Sequence, residues 1–150
     1  MKAVIQRVAH ACVTVDGAQT GYIGSGLLVM LGVSKTDGCK QAQKIAKKIA
    51  SLRIFDDEQG KLNKSVGEIG GGVLVISNFT LYADCRKGRR PDFSKAASFD
   101  TAFKRYNDFI SALMAAGVEN IQTGRFGADM KVELLNDGPV TVVIDSDELA

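Results

Sequence analysis

Two short stretches of this sequence carry residue types that do chemistry. The first is Ser77-Asn78-Phe79-Thr80, placed where an apolar run, Val73–Ile76, comes to an end. Ser77 and Thr80 offer hydroxyls and Phe79 a flat apolar wall. Backbone N–H groups freed where a strand ends can stabilise an oxyanion. No base stands beside Thr80 in the sequence, and no G-x-S-x-G elbow is present. A threonine nucleophile without a base is weak, so a substrate that is labile or brings its own catalytic group fits better. The second stretch is Asn136-Asp137-Gly138-Pro139, between the apolar runs Met130–Leu135 and Val140–Ile144. It reads either as a hairpin loop or as a device that aims backbone carbonyls at a ligand, with Gly138 leaving that surface bare. A Gly-Pro bond adopts either isomer at modest cost, and the residues alone leave both readings open.

Several chemistries are excluded or weakened. His10 is the only histidine, so multi-histidine metal sites are ruled out, and any histidine triad must use His10. Cys12, Cys39 and Cys85 are odd in number, widely spaced and without a C-x-x-C, which gives no zinc signature and fits a reducing cytoplasm. No cofactor motif is found. Gly67, Gly70, Gly71 and Gly72 precede a strand and no Gly-Lys-Ser/Thr follows, so they are not a phosphate loop. The net charge of +2 does not announce a nucleic-acid binder. Locally, however, Arg86, Lys87, Arg89 and Arg90 put four cations in the five residues before Pro91, and Gly88 within the run and Pro91 after it argue against a helix. Such a loop can follow a phosphate backbone, or simply be solvated.

The elements that must position these residues follow from periodicity. Lys2–Ala9 and Ala11–Val15 alternate as strands; the opening reads as a strand, not a signal peptide. Asp16-Gly17 turns the chain towards a return strand, Gln19–Ile23. Leu27–Val33 is a continuous apolar run, the mark of a strand buried on both faces. Thr36 or Asp37 caps a helix with Ala42, Ile45, Ala46, Ile49 and Leu52 on its inner stripe, and Lys40, Lys44, Lys47 and Lys48 mainly outside it. Arg53–Phe55 is a short strand, Lys61–Ser65 a polar loop. Ser98 caps a second helix whose stripe, Phe99, Ala102, Phe103, Tyr106, Phe109, Ile110 and Leu113, reads mostly as core. Two closing strands flank the Gly-Pro turn. With 150 residues and 45% apolar composition, this predicts a single α/β domain, residues 1–150. Its sheet is mixed, largely antiparallel and curled, with two main helices. Two helices cannot cover both faces of so long a sheet, so edges closed by dimerisation are expected. No apolar run is long enough to span a bilayer.

Taken together, these motifs resemble the D-aminoacyl-tRNA deacylases, historically called D-tyrosyl-tRNA deacylases. The resemblance runs through Ala3–Val8, Leu52–Phe55, Ser77–Ala83, Gly88–Pro91, Gly124–Met130 and Asn136–Thr141. The family's Ser-Gln-Phe-Thr motif reads Ser77-Asn78-Phe79-Thr80 here. Asn keeps the amide one methylene shorter, so a backbone N–H role survives the change better than one resting on the longer side chain.

The resemblance implies a homodimer in which a cis Gly138-Pro139 turn reaches the partner's pocket. Its carbonyls recognise the α-amino group of a D-aminoacyl ester on the 3′ adenosine of tRNA and reject an L side chain. It implies that the terminal ribose 2′-OH assists hydrolysis. It places Ser77 and Phe79 in the pocket wall, the Asn78 and Phe79 amides near the ester oxygen, and Thr80 as a secondary candidate. Arg7 would hold the turn, or be a plain strand-edge cation. Ala102 and Met130 would shape the pocket, and Arg86, Lys87, Arg89 and Arg90 would meet tRNA phosphates. The partners implied are tRNA and a second copy of the chain, with no membrane and no DNA. Rival readings are an editor of L-alanine or glycine mischarged on tRNA, a non-RNA acyl hydrolase using Thr80, and an RNA-binding module without turnover.

Overall fold

A computed structural model describes residues 1–150. The long first strand, β1 (Lys2–Val15), is the axis of the sheet. β2 (Ala18–Ile23) returns along its second half, and β3 (Gly26–Gly32) runs antiparallel to its first half. α1 (Cys39–Ser51) then crosses over, a small ribbon of β4 (Phe55–Asp56) and β5 (Leu62–Lys64) follows, and β6 (Gly72–Ser77) lies parallel to β3. A single 3-10 turn, Phe79–Tyr82, leads away from β6. α2 (Phe99–Ala115) is the second crossover. β7 (Asn120–Thr123) adds parallel to β6, and β8 (Lys131–Asp145) closes the chain against the free side of β1. The sheet is mixed, with β1–β2, β1–β3 and β1–β8 antiparallel.

The alternation of β3 and β6 shows how two helices suffice. Leu27, Val29, Leu31, Val73 and Val75 face α1 and α2, packing with Ile45, Ile49, Phe109 and Leu113. Leu28, Leu74 and Ile76 point the other way and pack with Val8, Val13 and Ile23. That second core is enclosed by the sheet itself. Strand twist and a bulge curl it until β2 approaches β6 and β7, and a Cβ on Gly21 would stand 2.7 Å from the Thr123 carbonyl oxygen. The sheet's curl within one chain therefore covers the face that was expected to need other cover. β8 bonds β1 along one edge only. No helix is long and apolar enough to cross a membrane.

Five expectations are corrected. Lys2–Ala9 and Ala11–Val15 are one strand: an extra residue at Ala9 shifts the alternation, so that the buried positions pass from Ala3, Ile5 and Arg7 to Val8, Ala11 and Val13, with Ala9 and His10 exposed between them. Gly38, not Thr36 or Asp37, is the N-cap of α1, and its N–H is taken by Gln41 Oε1 at 2.9 Å. Asp37 is engaged elsewhere: its Oδ1 accepts from the Met1 ammonium at 2.5 Å and its Oδ2 from the Ser34 N–H at 2.6 Å. The short strand expected over Arg53–Phe55 begins only at Phe55 and runs to Asp56, where β5 offers it a partner. The Lys61–Ser65 loop contains that partner strand. The last correction concerns the Gly-Pro turn, which is no hairpin. Met130–Leu135 and Val140–Ile144 fall along the single strand β8, apart from Met130 just before it, and run in the same direction along β1. Asn136 pairs with Val8 and Thr141 with Gln6, so that Asp137, Gly138, Pro139 and Val140 stand opposite Arg7 alone. They form an excursion from one strand, exposed from Asp137 to Pro139.

Candidate active site

Parallel pairing brings the carboxyl ends of β3 and β6 side by side, Leu31 opposite Ser77. The chain leaves β6 through Asn78, whose N–H donates to the Leu31 carbonyl at 2.8 Å. The 3-10 turn then folds tightly over the end of β3. A Cβ on Gly32 would lie 3.0 Å from Leu81 Cβ and 3.1 Å from the Asn78 carbonyl oxygen. Phe79 opens this turn, so its N–H has no acceptor a turn earlier within it.

Beside this turn opens a pocket of about 410 Å³. Ser77, Asn78 and Phe79 form one wall, Ala102 and Tyr106 of α2 another, and Phe126 to Ala128 with Met130 the third. The size suits a small-molecule group, and the lining is mostly apolar with a few polar atoms at one end. Tyr106 is the only lining residue with a titratable side chain of the acid–base kind. Its hydroxyl donates to the Val75 carbonyl at 2.8 Å, and burial pushes its pKa up. It therefore stays protonated and already bonded, and is no base. His10 lies exposed on β1, outside the lining. The pocket thus offers shape, apolar surface and backbone polarity, but no side chain that takes a proton at neutral pH.

Of the residues singled out by sequence, Ser77, Asn78, Phe79, Ala102 and Met130 meet in this pocket. Thr80 does not line it. Its exposed hydroxyl donates to Asn78 Oδ1, an amide oxygen without the basicity to activate it. The Asn78 N–H, expected near an ester oxygen, is spent on Leu31. Gly138 and Pro139 line none of their own chain's pocket either.

Arg7 connects the Gly-Pro excursion to the body of the protein. It is buried, not a strand-edge cation. Nε donates to the Asp137 carbonyl at 2.9 Å and Nη1 to the Ile54 carbonyl at 2.8 Å. The carboxylates of Asp56 and Asp137 each stand 3.7 Å from the guanidinium. A planar guanidinium with donors in fixed directions can hold two carbonyls of two segments at once. The Gly138–Pro139 bond is cis, and Gly138 has φ +137°.

The basic loop stands apart from the pocket lining. An antiparallel bridge between Asp84 and Asp92 ties its base. Arg86 is folded back onto Asp84, its Nε 2.9 and 3.0 Å from the two carboxylate oxygens. These hydrogen bonds hold the Asp84 carboxyl far below the usual range. Arg86 is thus partly neutralised, whereas Lys87, Arg89 and Arg90 are exposed and form no ion pair within the chain. The expectation that this loop meets tRNA phosphates is tested by changing Arg89 and Arg90 to Gln, which should then raise KM for a tRNA substrate and flatten its salt dependence by about two counterions. The single-turnover rate at saturation should change little. An unaltered slope of log KM against log salt would remove the loop from the nucleic-acid contact.

Four contributors to the site are not evident from sequence. Phe99 and Tyr106 have the spacing of the core stripe of α2, yet both line the pocket. The signal for Phe99 is its place at the first position after the Ser98 cap, where a helix end leaves the core. Phe126-Gly127 reads as plain loop. Gly127 takes φ +77°, and a Cβ there would sit 2.4 Å from the Phe99 ring, so glycine lets ring and loop close on each other.

Comparison with known proteins fits this geometry. The family described as D-Tyr-tRNA(Tyr) deacylase matches residues 4–145. A relative from Syntrophotalea carbinolica, named D-aminoacyl-tRNA deacylase, is 56% identical over 146 residues, 97% of each chain. A solved structure described as a c-Myc DNA unwinding element binding protein is 44% identical, with TM-score 0.91, covering 97% of this chain and 98% of that one. A second, described as a probable eukaryotic D-amino acid tRNA deacylase, shares the fold at 16% identity and TM-score 0.79, over 95% and 97% of the two chains. On sequence match and fold alike, the chain belongs to the D-Tyr-tRNA(Tyr) deacylase family.

Proposed function

We propose that this chain hydrolyses the ester joining a D-amino acid to the 3′ adenosine of tRNA, releasing the free D-amino acid and tRNA in the cytoplasm. The observation that carries this reading is the pocket itself: apolar walls, the Ser77–Phe79 turn at one end, and no side-chain base. The terminal ribose 2′-OH supplies the missing group, assisting water in its attack on the neighbouring 3′ ester. The ester C–O bond breaks and the 3′ oxygen leaves as a hydroxyl. The Phe79 N–H donates to the oxyanion that forms on the carbonyl. Ala102 and Met130 shape the space that takes the adenosine and its ester.

Chirality is set in trans. In a homodimer, Gly138 and Pro139 of one subunit enter the pocket of the other. Their carbonyls accept from the α-ammonium of a D residue and leave no room for an L side chain, a discrimination by rejection. Arg7 holds that excursion through the Asp137 carbonyl. Support comes from the exposure of the excursion, its absence from its own pocket lining, and the family to which the chain belongs.

Deacylation of D- and L-tyrosyl-tRNA, with L-alanyl- and glycyl-tRNA alongside, tests the reading. Rapid hydrolysis of the D ester with the L ester spared is the expected result; equal hydrolysis of both sinks it. Binding of a DNA unwinding element without hydrolysis of any ester would favour the role described for the 44%-identical structure. The catalytic group is tested separately. Thr80→Ala should keep activity within about tenfold of wild type, since its hydroxyl meets only an amide oxygen. A 3′-charged tRNA ending in 2′-deoxyadenosine should react at least about a hundredfold more slowly. An inactive, folded Thr80→Ala that coexists with normal cleavage of the deoxy substrate would make Thr80 the nucleophile.

A further inference from the structure

The first turns of α2 carry an aromatic pair that the proposed chemistry leaves unused. Phe99 lines the pocket yet remains 62% exposed, and Phe103, one helical turn on, is 47% exposed and lies outside the lining. The two rings stack with centroids 6.5 Å apart and planes 17° apart. Phe126 touches both at 5.1 Å, tilted 80° to Phe99 and 63° to Phe103. Gly127 closes beneath Phe99. Four constraints on two rings make a pre-set surface, at the cost of leaving apolar area in water.

The geometry points to a stacking platform: we propose that Phe99 and Phe103 receive the unpaired nucleobase that precedes the terminal adenosine of tRNA. This rests on the reading of the pocket as the aminoacyl-adenosine site. Continuity carries it, because Phe99 belongs to the pocket wall and to the platform at once. A strand whose last nucleotide occupies the pocket leaves it past Phe99 and meets Phe103 next. The chemistry suits a single-stranded end, since every base has a π-face and stacking tolerates any sequence. The neighbouring cations Lys104 and Arg125 are exposed for a phosphate, although Asp16 stands 3.5 Å from Arg125 and Asp100 adds an acid on the same turn. Phe103 touches no reacting atom, so its part is binding.

The test measures binding of the trinucleotide CCA and of adenosine alone to the full-length protein and to Phe103→Leu and Phe103→Trp. Leucine keeps apolar bulk against Phe126 without the π-face; tryptophan enlarges it. Phe103→Leu should bind CCA about tenfold more weakly and adenosine unchanged, and Phe103→Trp should bind CCA at least as well as wild type. Loss of both ligands in equal measure, or of neither, overturns the platform. So does a Phe103→Leu variant that shifts self-association by sedimentation and leaves CCA binding intact, which would give this face to a second copy of the chain. Deacylation of D-tyrosyl-tRNA by wild type is read in parallel. If wild type hydrolyses the ester and Phe103→Leu binds CCA as well as wild type does, the platform alone fails. If wild type hydrolyses no ester, the functional reading fails.

Discussion

Gly138→Ala is expected to cut hydrolysis of D-tyrosyl-tRNA about a hundredfold while the protein stays folded. Gly138 sits at φ +137°, a region L residues rarely adopt, and an alanine Cβ would stand 2.7 Å from Val140 N and 3.2 Å from Arg7 Nη2. Strain of about 1–3 kcal/mol is relieved by shifting the excursion, which is exposed and outside the ladder with β1, rather than by unfolding the sheet. Displacement of a positioning group by about 1 Å is enough for a hundredfold loss in rate. Arg7→Met approaches the same excursion from below. It removes the donors to the Asp137 and Ile54 carbonyls while keeping an apolar stem at a buried position. Both variants should therefore lose the preference for D over L esters by a larger factor than they lose stability. The readouts are the ratio of D- to L-tyrosyl-tRNA rates and a thermal melt. A ratio that stays at the wild-type value in a folded Gly138→Ala protein would reduce the excursion to a strand irregularity.

Asp37→Ala is expected to cost about 3–5 kcal/mol of folding stability, because it strands a buried charge. The Met1 ammonium is fully buried and is held by Asp37 Oδ1 at 2.5 Å and Ser146 Oγ at 2.6 Å. Asp37 Oδ2 also binds the Ser34 N–H, and the Ser146 N–H returns to the Met1 carbonyl at 2.8 Å. The ammonium–carboxylate pair thus joins the start of β1, the entry to α1 and, through the ammonium, the segment after β8. Removing it leaves a positive charge in the protein interior with a single hydroxyl for company. The melting temperature should fall by roughly 10 °C, and activity measured well below it should persist, since Asp37 lines no part of the pocket. A loss under about 1 kcal/mol in urea would mean that water reaches the ammonium in solution.

Local signals are sufficient for much of this protein. Alternation marks β1, though as two strands, the Asp16-Gly17 turn points to β2, a continuous apolar run marks β3, and the 3.6-residue stripes mark α1 and α2, with Ser98 capping the latter as expected. Ser77, Asn78 and Phe79 stand out because a buried strand ends there, and the family follows from motifs spread along the whole chain. What sequence could not decide were relations between segments distant in the chain. Asn-Asp-Gly-Pro signals a reversal wherever it occurs, but whether the chain reverses depends on the neighbouring strand. β1 offers both halves of β8 the same edge, so the chain steps out opposite Arg7 and resumes its direction. Thr36 and Asp37 carry cap chemistry; Asp37 caps nothing because a buried ammonium competes for it more strongly. Phe99 has the spacing of a core residue, but the core ends before the helix does, and only the closure of Phe126 and Gly127 against its ring turns it into pocket wall. Spacing fixes which residues share a face; tertiary packing fixes what that face meets, because side chains compete for partners brought together only when the sheet curls.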